Sequence, residues 1–231
     1  MKNPRAEIIS LIDGKNLEQL LIMAGQIHGH YCPGLALGII AAQRAMIEMC
    51  VDSDGLEDLI AISETNNCFS DGIQFVTGCT FGNNSLVFRD FGKTAFTLCT
   101  RNGSGIRICV RSEAREYMHN IYPSFSADYN NVVKEKDHSE NSIKSFKISA
   151  YEKAIVVLSL DFDKLFIIDK EVVNLPDYAP SHESQICEHC KESVMDSRIV
   201  NIKGKNFCIP CSKDDYFQLD GHGISKIINK K

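Results

Sequence analysis

The sequence predicts an α+β core over residues 1–173, a linker at 174–185 and a small cysteine-rich module over 186–231. Three observations predict it. Two apolar segments with helical spacing open the chain, β-rich runs gather in its middle, and two C-x2-C pairs stand near its end.

The chain has 231 residues, with 44% hydrophobic and 24% charged side chains, which is the mix of a globular protein with a core of its own. A net charge of −5 gives no global field toward nucleic acid or anionic membrane. "MKNPRAEIISLIDGK" scatters charges among its apolar residues, unlike a signal peptide, and the most apolar window, 35–51, is broken by Arg44 and Glu48. A cytoplasmic protein with no membrane partner is expected. In a reducing compartment ten cysteines point to metal binding or redox chemistry rather than disulfides.

Residues 16–27, "NLEQLLIMAGQI", read as a helix that Gly29 ends. Residues 33–50 read as a second helix with Pro33 at its first position. It is apolar nearly all round, so it is expected to be buried or to lie in a subunit interface. Gly34, Gly38 and Ala42 give it a small-residue face. "LEDLIAISET" (56–65) reads as a strand, and "CFSDGIQFVTG" (68–78) as a short helix closed by Gly78. "SLVFRDF", "TAFTLCTR" and "GIRICVR" are β-rich, with turn signals at Gly92-Lys93 and Asn102-Gly103, and predict an antiparallel meander. Residues 113–160 read as helical and polar, and their charged run at 134–141 as a solvated face or loop. "KLFIIDKEVV" (164–173) is a last strand; "NLPDYAPSHESQ" has two prolines and no apolar period, hence the linker.

Cys187, Cys190, Cys208 and Cys211 form C-x2-C, a 17-residue gap, and C-x2-C, the spacing of a four-thiolate zinc site. "SRIVNIKGKNF" between the pairs reads as a hairpin turning at Lys203-Gly204, and "SKDDYFQL" as the start of a helix, together a treble-clef arrangement. So short a module buries little apolar surface, so zinc there is structural. Eight Lys/Arg against six Asp/Glu from Gln185 onward give no basic stripe, so nucleic acid is not an expected partner. His189 sits inside the first turn and is expected to point outward.

"QIHGHYCPGLALG" (26–38) sets His28, His30 and Cys32 ahead of the second helix. In an extended segment alternate residues share a face, so all three point one way. Cys32 then precedes a helix N-terminus, where a thiolate is favoured, and two imidazoles beside it suit zinc or another borderline-soft metal. A further ligand is available from Glu64, Cys68, Asp71 or Cys79. Asp71 or Glu64 is placed to orient a histidine or shuttle a proton. Cys50, Cys99 and Cys109 sit in apolar settings and read as core.

"GHYCPGLALG", then "CFSDGIQFVTGCTFGNNSL", then "FCIPC" resemble the E-subunit family of formylmethanofuran dehydrogenase over nearly the whole chain. The resemblance implies a thioredoxin-like core with a mixed sheet, often paired as a homodimer, a cleft that holds zinc, and a treble-clef finger last. His30, Cys32, Asp71, Gln74, Cys79 and Thr80 match the family's motif positions; His28 and Cys68 match commonly seen ones. Through it, Cys32, Asp71 and Cys79 are candidate catalytic residues, Gln74 and Thr80 candidate cofactor-binding residues, and His28, His30, Cys32 and Cys68 candidate metal ligands. A basic residue is common in the family after T-G-C-T-x-G, whereas Asn83-Asn84 follow Gly82 here, so a ligand held by that charge would differ.

The resemblance implies a metal-binding protein of anaerobic, methanogenesis-related one-carbon or molybdoenzyme metabolism, with a molybdenum or tungsten enzyme complex as its partner. Two other readings stay open: a non-catalytic interaction protein whose finger docks a partner, and a thiol redox protein using Cys32 with Cys68 or Cys79.

Overall fold

In a computed structural model that describes residues 3–229, the chain divides into two units, Met1–Pro176 and Asp177–Lys231. The division falls inside the stretch read as a linker, where residues 174–183 form no regular structure.

The first unit opens with helices α1 (Ala6–Asp13), α2 (Leu17–His28) and α3 (Pro33–Met49). Asn16 caps α2 by accepting from Gln19 N, and Gly29 closes it in the left-handed region at φ 84°. Cys32 caps α3, and Pro33 takes the first position, where its missing N–H costs nothing. Every residue from Leu35 to Gln43 is buried, as an all-round apolar helix requires. Cys50, read as core, instead caps α3 at φ 51° and is exposed.

Strand β1 (Leu59–Ser63) leads into α4 (Cys68–Thr77), then β2 (Leu86–Phe88), β3 (Ala95–Thr100) and β4 (Ser104–Val110). Helices α5 (Ala114–Ile121) and α6 (Phe125–Tyr129), a π-helical turn (Asn130–Lys134), α7 (Glu140–Leu158) and α8 (Phe162–Leu165) precede β5 (Phe166–Val172). The five strands form one mixed sheet in the order β2-β1-β3-β4-β5. Of the expected meander, β3 and β4 pair antiparallel with Leu98 opposite Ile106, and the last strand β5 adds antiparallel to β4 with Ile108 opposite Ile168. β2 does not join it: α4 carries the chain across, and β2 pairs parallel to β1 with Ala61 opposite Leu86. Among the described residues no helix is long and apolar enough to cross a membrane.

Helices α3 and α4 cross at two glycines. A Cβ at Gly38 would lie 2.2 Å from Phe69 O, and one at Gly72 would lie 2.7 Å from Leu35 O and 2.8 Å from Ile39 N. Backbone therefore meets backbone, which only glycine allows. Arg5 fixes the other end of α4, donating from Nη2 to Phe75 O at 3.1 Å and Val76 O at 2.6 Å. Arg107 on β4 grips buried Glu64 with two bonds, 2.6 and 2.8 Å.

The second unit holds β6 (Ser184–Ile186) paired with β7 (Ser193–Met195), and β8 (Ile199–Ile202) paired with β9 (Lys205–Cys208) about the expected Lys203-Gly204 turn. The one-turn helix α9 (Ile209–Ser212) carries Cys211 and stops at Lys213, which is left-handed at φ 56°. The helix expected over 212–219 is absent. That segment becomes β10 (Tyr216–Asp220), hairpinned with β11 (Gly223–Ile227), because Lys213 breaks the helix and the Asp220–Gly223 turn closes two strands rich in β-forming residues.

Candidate metal centres

In the first unit, His28, His30, Cys32 and Cys68 bring ligand-capable atoms within 4.8 Å of one another. They come from separate pieces of chain: His28 ends α2, His30 lies in the bend, Cys32 caps α3 and Cys68 starts α4. The left-handed Gly29 turns the chain out of α2. Tyr31 anchors the bend, its ring so close to Gly25 that a Cβ there would lie 2.4 Å away, and its other side edge-on to Tyr151 at 5.1 Å. The Gly38–Gly72 crossing draws the starts of α3 and α4 together, and a Cβ on Gly34 would lie 3.0 Å from Cys68 Cβ.

His28 Nδ1 bonds Asp71 Oδ2 at 2.7 Å, which turns Nε2 toward Cys32 Sγ at 3.7 Å. A tetrahedral zinc holding one thiolate and one imidazole at ordinary bond lengths puts those atoms about 3.6 Å apart. Gln74 Nε2 donates to Asp71 Oδ1 at 3.3 Å, so the carboxylate is itself held. Carboxylate behind histidine is the arrangement that orients a metal-binding imidazole. The rings of His28 and His30 lie 4.3 Å apart. Burial first, and then His28, hold His30 below the ordinary imidazole value, which favours the neutral, ligating form.

The low-pKa thiol expected at Cys32 belongs instead to Cys68. Cys32 donates to Cys68, which together with burial drives Cys32 upward; the same bond, helped by His28, holds Cys68 at about 6. Cys32 Sγ also accepts from Leu35 N at 3.4 Å.

The other candidates lie elsewhere. Cys79 sits past the far end of α4, about 15 Å of helix from Cys68, buried, with its thiol donating to Leu59 O at 3.4 Å. Burial pushes it to about 11. Thr80 builds the turn after α4, its N–H bonded to Asn83 Oδ1 at 2.9 Å and its Oγ1 accepting from Asn83 N at 3.3 Å. Glu64 is engaged by Arg107. The structure thus gathers His28, His30, Cys32 and Cys68, adds Asp71 and Gln74 behind them, and leaves Cys79, Thr80 and Glu64 outside.

Two cavities flank the cluster. One of about 690 Å³ is lined by Gly29, His30 and Tyr31 together with Ile143, Phe146 and Ala150. The other, about 610 Å³, takes in Pro33, Gly34 and Asn67, neighbours of Cys32 and Cys68, together with side chains of the 113–160 region. The sequence pattern of that region signals only polar helix. Lys134 and His138, from the run read as solvated, line one cavity each.

In the second unit, Cys187, Cys190, Cys208 and Cys211 also lie with their sulfurs within 4.8 Å of one another, all free of disulfides. Cys190 Sγ and Cys208 Sγ are 3.8 Å apart, the separation of about 3.8 Å that two thiolates on one tetrahedral zinc adopt. Cys208 N donates to Cys187 Sγ at 3.4 Å and leads the causes that lower this thiol to about 6. His189 does not point away from the group: its Nδ1 lies 3.5 Å from Cys211 Sγ.

An α+β unit with a His/Cys cluster under helix ends, joined to a four-cysteine module, defines a protein with two candidate metal centres. The chain belongs to the FmdE family, whose model, described as "FmdE, Molybdenum formylmethanofuran dehydrogenase operon", matches residues 27–167. The match begins one residue before His28 and runs into β5, so it takes in the whole core cluster. A "Probable S-adenosyl-L-methionine-binding protein" of Archaeoglobus fulgidus is 34% identical over 219 residues, which is 91% of this chain. The chain spans 57% of that relative's length. A crystal structure of a tungsten formylmethanofuran dehydrogenase FmdE-like protein from Syntrophus aciditrophicus superposes with a TM-score of 0.51 at 20% identity, covering 85% of this chain and 91% of that one. At that identity the likeness shows the fold.

Proposed function

We propose that the first unit binds one zinc or related transition-metal ion through His28, His30, Cys32 and Cys68, with Asp71 orienting His28 and Gln74 holding Asp71. The observation that carries the reading is the convergence of four ligand-capable atoms within 4.8 Å from four distinct chain positions. Two thiolates and two neutral imidazoles are a donor set that suits zinc among the available divalent ions. Zinc in the second unit has a structural role, closing a module with little core of its own.

The family's operon description supports a place in one-carbon metabolism beside a molybdenum formylmethanofuran dehydrogenase, and the FmdE-like neighbour is named for the tungsten form of that enzyme; a cytoplasmic homodimer completes the proposal. A β-α-β unit followed by a hairpin, with order β2-β1-β3-β4, supports reading the core as thioredoxin-like. Metal analysis of protein purified without oxygen tests the central claim. Two ions per chain are expected, falling to one in Cys32→Ala and in His30→Ala; one ion per chain in all three proteins sinks it.

A second reading rests on the closeness of the free Cys32 and Cys68 thiols, whose sulfurs lie within 4.8 Å of each other. Two thiols this close can lose two electrons and two protons to an external oxidant and form a disulfide. A reversible Cys32–Cys68 disulfide in mass spectra, with one metal per chain, favours that reading over the metal centre.

A further inference from the structure

The 610 Å³ cavity beside Cys32 and Cys68 holds an anomaly. Lys153, on the inner face of α7, is only 6% exposed as a residue, while its ammonium stays open to the cavity and makes no hydrogen bond or ion pair among the described residues. Its neighbours are the Phe125 ring, with Nζ 5.0 Å from the centroid, and another cation, Arg115. A Lys is rarely buried this far along its stem without a carboxylate beside its head. Arg115 and Lys134 also line the cavity, and His119 stands with its Nδ1 on Ser126 Oγ at 2.9 Å. Among the described residues no carboxylate lines it, in a chain whose net charge is −5. The first turn of α3 at Pro33-Gly34 and the α4 cap Asn67 complete the wall, so two positive helix ends face the same space.

We infer that this cavity is a binding site for the oxyanion group of a small molecule, a carboxylate or a phosphate, with Lys153 as the counter-charge on its wall and Arg115 as the forked clamp at the mouth. Lys153 gives a point charge and Arg115 a planar pair of donors, the combination that grips an oxyanion from two sides. The rest of the ligand then lies within reach of the cysteine–histidine cluster, because residues adjoining Cys32 and Cys68 share the wall. The site does not depend on the metal reading: its charges and burial stand whether or not an ion is bound.

The test is a thermal-shift and calorimetric titration of the full chain with acetate and, separately, with phosphate, each against chloride at equal ionic strength, with metal content measured on the same samples. Acetate or phosphate is expected to raise the melting temperature saturably, and which of the two does so identifies the group. Lys153→Met and Arg115→Gln are each expected to weaken that binding tenfold or more while metal content is unchanged. Lys153→Met alone is expected to melt no lower than the wild type, since methionine keeps the buried stem and removes a charge that faces another cation, Arg115. If that variant fails to fold, Arg115→Gln and Lys134→Gln, both at exposed positions, carry the test. The inference is overturned if neither anion stabilises the wild type beyond chloride, or if these variants bind it with wild-type affinity.

Discussion

Replacing Gly38 by alanine should loosen the start of both cysteine-bearing helices. The added methyl would lie 2.2 Å from Phe69 O, 3.0 Å from Phe69 C and 3.1 Å from Gly72 Cα, all backbone atoms that cannot swing aside. Ordinary carbon contacts begin near about 3.5 Å, so α3 and α4 must part by roughly 1 Å. Overpacking of this kind costs about 1–3 kcal/mol, and rigid backbone neighbours place it at the upper end. The better helix propensity of alanine returns about 1 kcal/mol. The net loss of about 2 kcal/mol lowers the melting temperature of a unit this size by about 4–8 °C. Thermal melts followed by circular dichroism at 222 nm measure it, with metal content read on the same preparation. Gly82→Ala is the control, because its methyl would meet nothing nearer than Thr80 Oγ1 at 4.0 Å; it should stay within about 2 °C of the wild type. A Gly38→Ala protein that melts at or above the wild-type temperature and keeps its full metal content would refute the claim that the glycine crossing holds the cluster together.

Asp71→Asn keeps the shape but weakens the hold on His28 Nδ1, so affinity for metal in the first unit should fall about 10–100-fold, measured by competition with a chromophoric chelator; unchanged affinity argues against the orienting role. Strong chelation should unfold the second unit, seen as new protease cleavage after Pro176, while α3 stays protected; resistance of both units contradicts a zinc-dependent module. Burial lifts Cys79 from 9.0 to about 11 in the folded protein, so the unfolded chain loses that proton first and stability declines between those two pH values. Between pH 8 and 11 the wild type should lose about 2 kcal/mol that Cys79→Ala does not lose, read from denaturant midpoints at those two pH values; parallel pH profiles would show that the thiol is not desolvated.

The second centre was legible because its ligands are local: two tight C-x2-C turns joined by a hairpin bring four sulfurs together whatever surrounds them. The helix stops at Gly29 and Gly78 and the start at Pro33 were legible for the same reason. The first centre was only half legible. Its own segment announced His28, His30 and Cys32, but Cys68 and Cys79 stand at opposite ends of one helix, and sequence spacing cannot say which end is drawn in. The Gly38–Gly72 crossing decides it, through a contact between residues 34 apart in the chain. Lys153 left no mark in the sequence, because a lysine in a polar helix reads as solvated until α6 and the start of α3 close over it. The strands β10 and β11 did leave one: an Asp-Gly-His-Gly turn between apolar–polar alternations.

Of the four side chains in the first centre, three are bolted to helix termini, and moving any of them means moving a helix. His30 alone hangs from irregular backbone, between the left-handed glycine and the anchored tyrosine. It also borders the larger cavity. A swing of that one ring would leave the three helix-borne side chains and the scaffold as they were, so in the proposed metal centre His30 is the ligand that could give way to an incoming molecule.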